Sequence, residues 1–276
     1  MAHGNLGTKA GWTAWVLAGC GAKGAFQAGA IGVLDASEPS PDFISGCSAG
    51  ALNATGYCYL GPVGLKDYWF SIRSRSDILA TRWNPLGYMT SIYDPSPLKK
   101  MLDETMSEKR QRDYWVVYSD LKKLAPVYVK NPRAEDVLAS ASIPGAFPPV
   151  DGYKVDGGVF DCAPLKVAID AAPPEGGTIT VVLGDSPWKQ DQHEFISENI
   201  VETMARSLDG MCQAVLLDDL RECNKQTNSG GKKPIKLRII CPDTKVKVGT
   251  LDFTPEAMRW LYRLGKETCA SFLKKS

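Results

Sequence analysis

The feature that most limits how this chain can fold is a strand–turn–helix pattern that occurs twice in quick succession near its N-terminus. An apolar run over 13–18 leads through "GCGAKG" into a helix-like run over 24–36. A second short strand, 42–45, leads through "GCSAG" into another helix-like run over 49–60. Strands that alternate with helices in this way build a mostly parallel sheet.

The rest of the chain extends the pattern. Helices are expected over 64–72 and 96–106, and strands in "DYWVVYSDL" and "APVYVK", which carry β-branched and aromatic residues. "PRAEDVLASASIPGAFPPV" reads as a short helix ended by prolines, and "YKVDGG" as a strand running into a turn. The continuous apolar run "GTITVVLG" suits a buried parallel strand, and "IKLRIICP" reads as another strand. A long helix is expected over 193–226, with Ile196, Ile200, Met204, Leu208, Met211, Val215 and Leu220 along one face and a kink at Gly210. Thr254-Pro255 opens a last helix as N-cap and first turn. The expected architecture is one α/β domain over 12–276, helices on both faces of a mostly parallel sheet, preceded by a flexible tail over 1–11.

Composition narrows the function. A net charge of +1 with no basic stripe gives no field for nucleic acid. The eight cysteines include no C-x-x-C pair, so a zinc site is not expected, and their scatter suits a reducing compartment. The first residues lack a basic segment followed by an apolar core, which points to the cytoplasm. Residues 43–65 carry no charge, but glycines, Asn53 and Pro62 interrupt them, so they are not read as a membrane span.

The two glycine turns decide between chemistries. Gly19, Gly21 and Gly24 match a dinucleotide-binding G-x-G-x-x-G. That motif also needs an acidic residue at the end of the second strand, and Asp42 starts the strand instead. The strand ends in Gly46-Cys47-Ser48-Ala49-Gly50, a G-x-S-x-G between strand and helix, the context of a nucleophile elbow. The plainer alternative is a turn in which Ser48 caps the helix. If Ser48 is a nucleophile, the N–H groups of the first loop (Gly19, Gly21, Ala22) are better read as an oxyanion hole than as a phosphate cradle. Lys23 then points outward or pins the loop. A histidine base is poorly supplied: His3 lies in the tail and His193 in charged "KQDQHE". A carboxylate is the alternative base, and Asp156, ending a short strand before Gly157-Gly158, is the leading one. Asp151-Gly152 fits a two-residue hairpin, and Asp161 a local turn or cap.

Together these blocks resemble the patatin-like phospholipase family. Gly19-Cys20-Gly21-Ala22-Lys23-Gly24 resembles its oxyanion loop, Gly46 to Gly50 its elbow, Ala139 to Pro149 its alanine, serine and proline block, and Asp156-Gly157-Gly158 its catalytic D-G-G. "LDFTPEAMRWLYRLGKE" is similar to its C-terminal helix region. The resemblance implies a Ser48–Asp156 dyad, a three-layer α/β/α fold, lipid acyl-ester substrates, and no metal or cofactor. Two positions depart from the family pattern: Cys20 stands where glycine is common, and Lys23 where arginine is frequent. Cys47 is read as packing. The same acyl-enzyme would serve an acyltransferase, and a catalytically inactive lipid-binding module is a further alternative. "WNPLGYMTSIY", 83–93, within a segment of about 80–95, is a candidate lid and membrane or micelle contact; the alternative is a loop packed on the core.

Overall fold

The computed structural model describes residues 11–81, 91–188, 200–228, 234–244 and 246–275. His3, His193, Ile196, almost all of the expected tail, and residues 82–90 of the expected lid lie outside the described residues. The strands are β1 (Thr13–Leu17), β2 (Phe43–Cys47), β3 (Ala80–Thr81), β4 (Tyr93–Asp94), β5 (Trp115–Asp120), β6 (Ala125–Lys130), β7 (Lys154–Asp156), β8 (Gly177–Val182) and β9 (Ile235–Ile240). The helices are α1 (Gly24–Ser37), α2 (Ala49–Ser71), α3 (Ser96–Met106), α4 (Ala134–Ser140), α5 (Leu165–Ala171), α6 (Ile200–Asn228) and α7 (Pro255–Lys275).

The main sheet runs β6-β5-β2-β1-β8-β9, with β7 also paired to β5. The four pairings from β5 through β2, β1 and β8 to β9 are parallel; β6 and β7 pair with β5 antiparallel. The alternation of side chains along β1 makes the third dimension. Trp15 and Leu17 enter a core with Phe26 and Ile31 of α1, Tyr57 of α2 and Leu261 of α7. Ala14, Val16 and Ala18 enter a second core with Leu165 and Ala168 of α5 and Leu216 and Leu220 of α6. The sheet is therefore covered on both faces, which explains the near-continuous apolar runs of its inner strands.

Two expectations change in detail. The runs 49–60 and 64–72 are one element, α2, broken where Gly61 takes φ 68° ahead of Pro62. Pro62 lacks an N–H and cannot sit in an unbroken helix, so the backbone turns there. Along α6 the buried stripe passes through Leu216 and Leu220, whereas Met211 is 46% exposed. Of the expected face Leu220 is buried, Val215 half-buried and Met211 exposed, while Leu216, outside that face, is buried where α6 docks on the sheet and on the turn after β7, with the Cys212 thiol donating to the Gly158 carbonyl at 3.3 Å.

The helices α1 and α7 cross with backbones in contact. A Cβ on Gly29 would run into the Tyr262 carbonyl, and one on Gly265 into the Phe26 carbonyl. Gly32, one turn on, faces only the Tyr262 hydroxyl at 3.5 Å. Gly29→Val is therefore expected to lower the unfolding free energy by about 1–3 kcal/mol through overpacking. Gly32→Ala should be neutral or stabilising, since alanine is the better helix former. Urea denaturation of the two variants checks both.

Candidate active site

The turn from β2 into α2 is tightly wound. Ser48 sits at φ 52°, ψ −122°, in the left-handed half of conformational space, which a side-chain-bearing residue enters only under strain. It occupies the N-cap position of α2, yet its hydroxyl makes no capping bond. The helix-cap alternative is thereby excluded. The glycines on either side have no room for a side chain: a Cβ on Gly50 would strike the Leu17 carbonyl, and one on Gly46 the Gly50 carbonyl.

Strand β5 acts as the ruler that brings the second residue in. Its first half pairs with β2, through Ser45↔Trp115, Gly46↔Val116 and Cys47↔Val117. Its second half pairs with β7, through Tyr118↔Asp156, Ser119↔Val155 and Asp120↔Lys154. The two strands run toward each other, so their carboxyl ends meet at consecutive positions of β5. Asp156 thus arrives beside the residues that lead into Ser48, with the Cys47 sulfur 4.0 Å from Asp156 Oδ1. The end of α4 braces both. The Ser48 N–H donates to Ser140 Oγ at 3.0 Å, and the Asp156 N–H donates to the Ser142 carbonyl at 2.8 Å.

Asp156 is buried. Its Oδ1 accepts the Gly158 N–H at 2.8 Å, and its Oδ2 is buried with no hydrogen-bond partner among the described residues. Burial pushes its pKa from 3.8 up to about 6, and the nearby Ser48 hydroxyl and the Gly158 N–H offset part of that rise. The Ser48–Asp156 pair does not itself meet hydrogen-bond geometry, an alignment that commonly tightens only when substrate is seated. The neighbouring thiols of Cys20 and Cys47 are pushed well up by burial, so they stay protonated and are poor nucleophiles. Asp161 accepts the Tyr128 hydroxyl at 2.7 Å, and Asp151 and Gly152 take φ 54° and 79°, as a tight hairpin turn requires.

The first glycine loop lies against the elbow. Most of its N–H groups are engaged: Gly19 to the Cys162 carbonyl and Ala22 to the Thr250 carbonyl, both at 2.8 Å, Lys23 to the Cys20 carbonyl at 3.1 Å, and Gly24 within the loop's own turn. The N–H groups of Cys20 and Gly21 have no partner among the described residues. Of the two roles open to Lys23, pinning is the one observed: it is buried and its Nζ lies 2.6 Å from Asp185 Oδ2. A cleft of about 390 Å³, open solvent included, is lined by Cys20, Gly21, Ser48 and Asp156. A second, apolar cleft of about 470 Å³ meets it at Ser48 and is lined by Leu52, Trp69, Ile78, Phe147 and Phe253. Among the described residues no group of three His, Cys, Asp or Glu could hold a metal ion.

The model of the patatin-like phospholipases matches residues 15–169, more than half of the chain and a span that includes Ser48 and Asp156. The chain belongs to the patatin-like phospholipase family. That family is one of lipid acyl hydrolases. The crystal structure of VipD from Legionella pneumophila is similar at a TM-score of 0.46 and 14% identity, over 96% of this chain and 67% of that one. No curated protein matches the sequence.

Three contributors to this patatin-like site were not singled out as functional by the sequence reading. Ser140 and Ser142 hold the elbow and Asp156, and Thr250 fixes the glycine loop from a segment far along the chain. The serines sit inside the Ala139–Pro149 block but have no spacing signal of their own, and Thr250 belongs to no motif. Ser140→Ala strands a buried N–H at the strained elbow and should cost about 1–3 kcal/mol in denaturant unfolding. The raised pKa of Asp156 also has a stability signature. A carboxyl that holds its proton more tightly folded than unfolded favours the fold at low pH, and that contribution is lost as pH climbs from about 4 through about 6. Asp156→Asn removes the loss, so its stability relative to the parent chain should rise between pH 4 and pH 8 in parallel thermal melts.

Proposed function

We propose that the chain is a serine lipid acyl hydrolase of the phospholipase A or lysophospholipase type working through a Ser48–Asp156 dyad. The reading rests on one observation above the others. A serine hydroxyl that caps nothing sits on a strained elbow beside a buried carboxylate oxygen with no partner among the described residues. In this scheme Ser48 Oγ bonds to the ester carbonyl carbon and its proton passes to Asp156 Oδ2. The carbonyl oxygen becomes an oxyanion held by the N–H groups of Cys20 and Gly21 and by the N-terminus of α2. Asp156 returns the proton to the departing alcohol oxygen as the carbon–oxygen bond breaks. Water then attacks the acyl-serine and gives a proton to Asp156, which passes it to Ser48 Oγ as the acyl–oxygen bond breaks and the fatty acid leaves. Cys20 contributes through its backbone, so its departure from glycine leaves this role intact.

The neighbouring apolar cleft supports an acyl chain as the carbonyl's substituent, because its lining is almost wholly aliphatic and aromatic. Burial of Asp156 supports its role as base, since a carboxyl with a pKa of about 6 is a far better proton acceptor near neutrality than an exposed one.

The test is intact-mass measurement after incubation with a fluorophosphonate. One adduct is expected on the parent chain, none on Ser48→Ala, and strongly reduced labelling on Asp156→Asn. An adduct that persists on Ser48→Ala would refute the assignment. On a soluble ester, kcat/KM should rise with pH through an apparent pKa of about 6 as Asp156 ionises, and a flat profile across that range would remove Asp156 as the base.

A further inference from the structure

The hairpin joining β5 to β6 carries exposed apolar surface that its own fold does not require. Its tip is Leu121-Lys122-Lys123-Leu124. Leu124 is 71% exposed and Leu121 is 42% exposed. Leu124 also takes φ 53°, a left-handed conformation in which glycine or asparagine is the ordinary choice. A leucine there is doubly unfavourable to the isolated fold, through backbone strain and through water-exposed hydrocarbon.

The tip is well built rather than loose. The Asp120 carboxylate accepts the N–H groups of Lys122 and Lys123 at 2.9 and 3.0 Å. The Leu121 N–H donates to the Tyr153 carbonyl at 3.0 Å, which joins the tip to the Asp151-Gly152 turn. Lys122 Nζ lies 3.9 Å from the centre of the Tyr153 ring, and the Lys123 side chain is 71% exposed. Two leucines and two lysines therefore project together from an ordered platform.

Its position relates it to the active site. Strands β2 and β5 run parallel with Cys47 opposite Val117, so Ser48 emerges level with Tyr118. The hairpin tip begins three residues farther along β5, about 10 Å beyond that level at the usual rise of a strand. Asp156 and the tip platform are linked directly by β7, which runs from Lys154 beside the tip to Asp156 in the site.

We propose that this hairpin is the element that docks the domain on an anionic lipid surface, with Leu121 and Leu124 entering the acyl boundary and Lys122 and Lys123 meeting lipid phosphates. The charge and the apolar pair fit that surface together: basic side chains are drawn to anionic headgroups while the hydrocarbon leaves water. The same orientation turns the rim that holds Ser48 toward the bilayer. The inference that docking serves catalysis rests on the lipid hydrolase reading, whereas docking itself is measured without it.

The test measures sedimentation of the full chain, in the Ser48→Ala background, with phosphatidylcholine vesicles with and without phosphatidylserine. Partitioning should be stronger with phosphatidylserine and weaken at high salt. Leu121→Asn/Leu124→Asn should reduce it at least about tenfold, since two leucines lose the gain of leaving water. Lys122→Glu/Lys123→Glu should abolish the preference for phosphatidylserine. With Ser48 intact, both double variants should hydrolyse p-nitrophenyl butyrate at the parent rate. Leu124→Asn alone should raise the melting temperature by relieving the strain. Unchanged partitioning of the leucine variant overturns the proposal. So does a parent chain that binds neither vesicle, which would assign the patch to a protein partner. Silence toward the soluble ester in the parent chain, with vesicle binding as expected, overturns the hydrolase reading instead and leaves the docking surface standing.

Discussion

The arrangement on which everything else depends is the meeting of β2 and β7 on the shared edge of β5. Hydrogen bonding to one strand sets the register of both, so Cys47 and Asp156 occupy consecutive positions opposite Val117 and Tyr118. Neither strand could shift by one residue without turning its side chains to the other face of the sheet. Ser48 and Asp156, more than a hundred residues apart in sequence, are therefore brought together by backbone geometry. The side-chain contacts only refine it. The end of α4 locks that geometry, with Ser140 on the elbow and Ser142 on the backbone of Asp156.

That placement also sets the electrostatics. Asp156 is buried between the sheet and the loop after β7, with a single N–H on one oxygen. Removing a carboxylate from water disfavours its charged form, so the group holds its proton to a higher pH than a surface aspartate would. In the proposed mechanism a chain short of histidines obtains its base by burying a carboxyl. The strain at Ser48 and the close approach of Gly46 and Gly50 to neighbouring carbonyls both come from the tight turn between β2 and α2. The same short β7 strand starts beside the β5–β6 tip at Lys154 and ends in the site at Asp156.

Much of this was legible before any fold was known, for identifiable reasons. Helix α3 and the strands over 115–120, 125–130 and 177–182 follow from periodicity and from flanking prolines and glycines. The Asp151-Gly152 turn is a strong local signal and takes the expected positive φ angles, but it closes Val150 on Lys154 across three residues rather than two. What was only partly legible was the side-chain face of α6. Apolar residues there recur at intervals of three to five, so more than one stripe fits the pattern, and packing on the sheet buried Leu216 beside the expected Leu220 while leaving Met211 in water. The break in α2 illustrates a different limit. Gly61-Pro62 announces an interruption, but whether two helices separate or one bends is decided by the packing around it.

The sequence by itself determined the class of fold, the elbow around Ser48 and a short set of aspartates, because these rest on local chemistry. Strand–helix alternation, small residues at tight turns and the scarcity of histidine can all be read one segment at a time. Only the tertiary structure decided which N–H groups of the glycine loop stay unpaired, that Lys23 turns inward to Asp185, and that Asp156 stands next in line to Cys47. Those outcomes depend on partners such as Cys162 and Thr250, which lie far away in the chain and carry no motif. Burial and hydrogen-bond satisfaction are properties of the packed whole, and so is the raised pKa that follows from them.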